Sequence, residues 1–269
     1  MSRSISLPMY DFEEVKSSTD ALLEAIVQAV RELREDVIVA TEIDTEHESL
    51  LPYWRGNEMY ISQSCGLPIV EDLDEVVNIL GTFLWSGISD DFGNYRTEIV
   101  VRGELEALEV AELRGARPVV NSVQSLSGWC SLGCALAEVT DDPAFVQPYL
   151  ISHYHARSLQ LLQEGIADVA SIDAATMQIL RRHRPSLVHG LRIIGSGPLI
   201  PATPIIASRI RTVSIEALRD ALDRVVAQDS LKNAMDDIGI VGFVNKDFGD
   251  YEIVHDLVKR AETVLPRRE

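Results

Sequence analysis

The sequence predicts an α/β fold, and three observations predict it. Strand-like and helix-like segments alternate along all 269 residues, which suits helices laid over a largely parallel or mixed sheet. Apolar residues recur at three and four positions in ALLEAIVQAVRELRE, the spacing that gives a helix one apolar face. The segment Ile193 to Ile206 holds Gly195, Gly197, Pro198, Pro201 and Pro204, a density of punctuation that suits a bent crossover better than a central strand.

Taken in order, SISLPMY is the first strand, and Ser17, Ser18 and Thr19 offer hydroxyl caps to the amphipathic helix that follows. DVIVATEI and MYISQS are strands, Leu73 to Leu80 reads as a helix, and YRTEIVVRG and ARPVVN are strands. GWCSLGCALAEV is a helix. In HARSLQLLQEGIADVASID a helix stops at Gly165, which suits the left-handed turn of a helix end, and a strand follows. LRIIGSG and TPIIAS are short strands, and SIEALRDALDRVVAQ and DYEIVHDLVKRAETVL are the closing helices. The chain has no repeat and no Gly/Ser or Pro-rich tether, so two lobes would be joined by ordinary strands. Thr97 to Arg102 would lead outward and Ile193 to Ile206 back.

At 46% apolar residues the chain can fill a core divided between two lobes. Forty-two acidic against twenty-four basic residues give a net charge of −18, which opposes nucleic acid and anionic lipid as partners. No apolar run approaches the roughly 18 residues of a membrane helix, so no direct membrane insertion is expected. MSRSISLPMYDFEE has no continuous apolar stretch of the secretory kind. The expected compartment is therefore the cytoplasm, or the periplasm if a signal has been removed. Cys65, Cys130 and Cys134 are too few for a disulfide framework. Cys130 and Cys134 would share a helical face, and His153 and His155 form an H-x-H pair, but neither pair has a third ligand nearby. No metal and no cofactor are expected.

In VNSVQSLSGWCSLGC, Ser122, Ser125 and Ser127 run up to Gly128 ahead of a helix. Two readings stay open: serines capping a helix start, or hydroxyls and amides forming a socket for an anion.

QSCGLP (Gln63 to Pro68), Tyr95 ahead of IVVR, LRG followed by NSVQSLSG, HARS (His155 to Ser158) and GIADVASID follow one another in that order. Together they resemble the phosphate/phosphonate-binding (PhnD-like) solute-binding proteins of ABC importers, from LPMYD to DIGIVGF. The resemblance implies the α/β, two-lobed type 2 periplasmic-binding-protein fold, with two strand crossovers and an inter-lobe ligand cleft that closes like a clamshell. Residues 1–96 plus 204–269 would form one lobe and 97–203 the other. It also implies a ligand set. Asn121, Ser125 and Ser127 would present donors at a helix start, with His155 and Ser158 beside them. Tyr10 and Tyr95 would wall the cleft, Gln63 would face it from its turn, and Asp173 would hold a ligand amine or hydroxyl or else cap the next helix. Leu126 stands where such binders often place another hydroxyl, His153-Tyr154-His155 replaces a slimmer G-S-H, and Leu126 with Trp129 would make the mouth less polar.

The function so implied is binding, without turnover, of a small anionic or zwitterionic solute of phosphate or phosphonate type. An ABC permease or a cytoplasmic protein would be the partner. The alternative is a cytoplasmic enzyme on the same fold acting on a small carboxylate, as in menaquinone-pathway enzymes, with His155 or Asp173 as base. A ligand-sensing domain is the third reading.

Overall fold

A computed structural model describes residues 3–40 and 47–267. In chain order the elements are β1 (Arg3–Ile5), α1 (Lys16–Glu32), β2 (Val37–Val39), α2 (His47–Arg55), β3 (Met59–Gln63), α3 (Gly66–Glu71), β4 (Val77–Trp85), β5 (Asn94–Val101), β6 (Val119–Val120) and α4 (Ser131–Ala137). There follow β7 (Leu150–Ile151), α5 (His155–Gln163), β8 (Val169–Ile172), α6 (Ala174–His183), β9 (Arg192–Pro201), β10 (Pro204–Ser208), α7 (Ile215–Val226), α8 (Lys232–Ile238), β11 (Ile240–Asn245) and α9 (Ile253–Val264).

Most of these elements lie where the hydrophobic period puts them. α1 buries Leu22, Leu23, Ile26, Val27 and Val30, the residues its spacing aligns on one face. Ser214 caps α7 by accepting from Ala217 N at 3.2 Å. Gly165 has φ +69° and ends α5, as a residue without Cβ can do at little cost. Several expectations fail. The helix α1 starts at Lys16, with Val15 at the cap position and a turn of 3-10 helix running into it from Glu13, so Thr19 lies inside the helix and is buried instead of capping it. Leu73 to Leu80 is not a helix either. Val77 onward is strand β4, whose β-branched Val77 and Ile79 are buried and pair with antiparallel β10, while β11 pairs with its later residues from Gly81 to Trp85. Long-range pairing there overrides a local pattern that a short apolar run leaves ambiguous. Only Val37–Val39 of the predicted strand DVIVATEI is described as strand, and its end lies outside the described residues.

The chain divides into two compact units. The first, Met1–Asn94 and Pro201–Tyr251, holds a six-stranded mixed sheet in the order β11, β4, β10, β3, β1, β2. β1 is parallel to β2 and β3, β10 is antiparallel to β3 and β4, and β11 is antiparallel to β4. Helix α1 packs beside α7 and α8.

The second unit, Tyr95–Ile200 and Glu252–Glu269, holds a three-stranded sheet in the order β8, β5, β9 and a two-stranded parallel pair of β6 and β7. Val100, Val119, Leu159, Leu162, Ile172 and Met177 form part of its core. The sequence assigned all of residues 204–269 to the first lobe, and the structure differs. Helix α9 packs on α4, where a Cβ on Gly133 would come within 2.7 Å of Ala261 Cβ, so the two helices meet through bare backbone. Cys134 Sγ donates to Leu257 O at 3.2 Å and Trp129 Nε1 donates to Leu265 O at 2.9 Å. Cys130 and Cys134 are thus core thiols.

Candidate functional site

The second unit carries the serine-rich turn. β6 delivers the chain to Asn121, and a tight turn follows in which Ser125 N donates to Ser122 O at 3.2 Å. Ser125 then caps a five-residue π-helical turn, Leu126–Cys130, that feeds α4. Its Oγ accepts from Gly128 N at 3.0 Å, which is the capping role serine ordinarily fills. Cys130 N reaches back five residues to Ser125 O at 3.1 Å, which opens the wider turn in place of the regular helix start that the sequence predicts. Ser131 Oγ, donating to Leu126 O at 2.8 Å, fixes the end of that turn.

Gly128 is required by its neighbours. A Cβ at this position would fall on Asn121 Oδ1 and lie 3.1 Å from Ser125 Oγ, so only glycine lets those two side chains close over the turn. Ser127 serves another partner. Its Oγ lies 2.9 Å from His155 Nε2 and 3.5 Å from Ser125 Oγ. The backbone oxygen of Ser127 accepts from Ser171 Oγ at 2.7 Å, and Ser171 Oγ also lies 2.8 Å from Thr97 Oγ1. Strands β5 and β8 therefore hold the turn from beneath.

His155 opens α5. The preceding loop turns through His153 at φ +68°, a left-handed conformation that few residues other than glycine adopt. Although His155 is partly exposed as a residue, its Nδ1 is sealed from solvent and has no hydrogen-bond partner among the described residues. Burial pushes the imidazole below its ordinary value, against an opposing pull from the Asp173 charge, which favours the neutral ring. Asp173 itself caps α6, accepting from Thr176 N at 2.8 Å, and its other oxygen accepts a hydrogen bond from Tyr95 OH.

Asn121, Ser125, Ser127 and His155 are thus brought together around Gly128, and Tyr95 and Asp173 form a second pair within the same unit. Ser158 is not directed at Ser127: its hydroxyl lies 2.7 Å from Ser152 Oγ, where it closes the β7–α5 loop. Tyr10 and Gln63 belong to the first unit and share one partner there. Gln63 Nε2 donates to Thr203 Oγ1 at 3.2 Å, and Thr203 Oγ1 donates to Tyr10 OH at 3.3 Å, with the Tyr10 ring 4.4 Å from that of Trp85. Trp129 is a further correction. It is fully buried, with Arg267 stacked 4.4 Å from its ring, and so lines no open mouth.

Sequence reasoning missed Ser171, Thr97 and Thr203. The signal for Ser171 was a hydroxyl in the middle of VASI, a strand buried throughout. Among the described residues no group of three or more His, Cys, Asp or Glu side chains is placed to hold a metal ion, and no described helix is long and apolar enough to cross a membrane.

Residues 7–251 match the family of ABC transporter, phosphonate, periplasmic substrate-binding proteins. The chain belongs to that family. Three solved structures share the two-lobed α/β fold of such binding proteins. PhnD1 from Prochlorococcus marinus, solved with methylphosphonate, is 14% identical with a TM-score of 0.79, over 97% of this chain and 98% of that one. A binding component of an ABC phosphonate transporter from Pseudomonas aeruginosa is 16% identical with a TM-score of 0.75, over 97% and 87%. The alkanesulfonate-binding protein SsuA from Xanthomonas axonopodis pv. citri, solved with MOPS, is 13% identical with a TM-score of 0.65, over 99% and 94%. No curated protein sequence matches the chain. In this member of the family the N-x-x-x-S-x-S-G stretch leads into the π-helical turn, and the histidine of H-x-x-S is the one bonded to its Ser127.

Proposed function

We propose that this chain binds a small phosphonate-like oxyanion, without turning it over, as the substrate-binding component of an ABC transporter. The observation that carries the reading is the contact of Ser127 Oγ with His155 Nε2 at a glycine-bearing helix start. A helix start leaves its first N–H groups without intrahelical acceptors, and an anion placed there meets donors and the positive end of the peptide dipoles. Neutral His155 can donate Nε2–H to Ser127, which turns the Ser127 O–H outward as a further donor. Tyr95 and Asp173 supply an acceptor on the same unit, suited to a hydroxyl or amine elsewhere on the solute.

Two of the similar structures contain ligands of the matching chemistry, a phosphonate in one and a sulfonate buffer in the other. Binding is preferred to catalysis because, among the described residues, no group orients Nδ1 of His155, the third member that activates a serine nucleophile. The partner on this reading is an ABC permease. Isothermal titration of methylphosphonate and inorganic phosphate into the protein tests the reading. Saturable one-to-one binding that Ser127→Ala weakens supports it, while no heat with either anion, or binding that Ser127→Ala leaves untouched, removes it.

A further inference from the structure

The first unit holds a cavity of about 200 Å³ where the carboxyl ends of the parallel strands β1 and β2 meet the first turn of α1. In open α/β sheets the space beyond the carboxyl ends of parallel strands is where ligands ordinarily lodge. Leu7, Leu23 and Val39 give this cavity apolar walls, and Asp11, Lys16 and Asp20 give it a charged rim. The rim carries two carboxylates and one ammonium. Lys16 Nζ lies 3.4 Å from Asp11 Oδ1 and is also paired with Asp20, so a single ammonium is shared between both acids.

Two further observations point to a guest. Thr19 lines the cavity and is only 4% exposed, yet its Oγ1 has no hydrogen-bond partner among the described residues. A buried hydroxyl left unmatched costs stability, and a threonine within a helix usually returns its hydroxyl to the preceding turn. In addition, burial pushes the Asp11 carboxyl above its ordinary value although Lys16 pulls it down, so the compensation by Lys16 is incomplete. An anion entering here would face two carboxylates; a cation would relieve them.

We infer that this cavity is a small-molecule site for a primary ammonium on a short aliphatic chain, with the ammonium between Asp11 and Asp20 and the chain against Leu7, Leu23 and Val39. The Lys16 ammonium is the tethered competitor for the same carboxylates, and its half-exposed side chain is free to swing outward when a guest arrives. The inference concerns the first unit alone and does not depend on the oxyanion reading.

The test is isothermal titration of the full chain with n-butylammonium chloride and, separately, with sodium butyrate. Wild-type protein is expected to take up butylammonium at one saturable site and to give no saturable heat with butyrate. Asp20→Asn should weaken butylammonium about tenfold, as loss of a charged hydrogen-bond partner does, and Lys16→Ala should tighten it by a similar factor. Asp11→Asn is the equivalent reading should Asp20→Asn fail to fold by circular dichroism. No saturable butylammonium heat in wild type or Lys16→Ala overturns the proposal. So does equal affinity in the aspartate variants, or weaker binding in Lys16→Ala.

Discussion

Ser127 and His155 stand 28 residues apart in the chain and meet at 2.9 Å between Oγ and Nε2. Each lies at the start of a helical element, Ser127 within the π-helical turn ahead of α4 and His155 at the head of α5, so the contact joins two helix starts in the second unit. The hydroxyl is the only part of Ser127 that the contact uses. Its backbone oxygen is separately held by Ser171.

Ser127→Ala is therefore expected to keep the fold and to lose affinity. Methylphosphonate binding should weaken about tenfold, the usual effect of removing a hydrogen bond to a charged group. Titration calorimetry reads the affinity, and an unchanged melting temperature separates lost contact from lost structure.

His155 gives a pH dependence of stability. Burial holds its folded value below 6.5, so the unfolded chain takes up this proton at a higher pH than the folded protein does. The stability the neutral ring contributes is fully present above pH 6.5 and is lost as pH falls from there through the folded value. Melts at about pH 7.5 and about pH 5.5 should show a smaller drop for His155→Gln than for wild type. An equal drop would mean that the ring is not held neutral.

Asp168 gives a second dependence, at lower pH. Burial works against its charge, yet hydrogen bonds from Arg117 and Arg102 hold it at about 2. Its contribution is present above the ordinary carboxylate value and is lost as pH falls toward 2. Asp168→Asn is expected to cost about 2 kcal/mol at neutral pH, measured by urea unfolding.

The meeting of α4 and α9 is tight enough to be broken by a side chain. Gly133→Leu places bulk where Ala261 Cβ and Cα already lie, and overpacking of this kind costs about 1–3 kcal/mol. The same urea experiment checks it, and Gly165→Leu is no substitute control because that residue has a positive φ.

How much of this was legible in the sequence depended on distance along the chain. The Ser125–Gly128 turn could be read because its cap, its glycine and its helix start are neighbours. His155 could be paired with it only through the resemblance, and Ser171 and Thr203 not at all, since their contacts span 44 and 140 residues. Val77 to Leu80 reads as helix or strand until the strand beside it is known, and that strand, β10, comes from the C-terminal third of the chain. The hydrophobic period of α9 was plain. What it could not tell was which core that face would cover.

That last placement bears on how the molecule can be divided. Neither unit is a single run of sequence, and a gene fragment covering only Tyr95–Ile200 would lack the helix that covers Gly133 and Cys134. Such a fragment would expose apolar helix surface and aggregate; supplied in trans as a peptide, residues 252–269 would be the piece that rescues it.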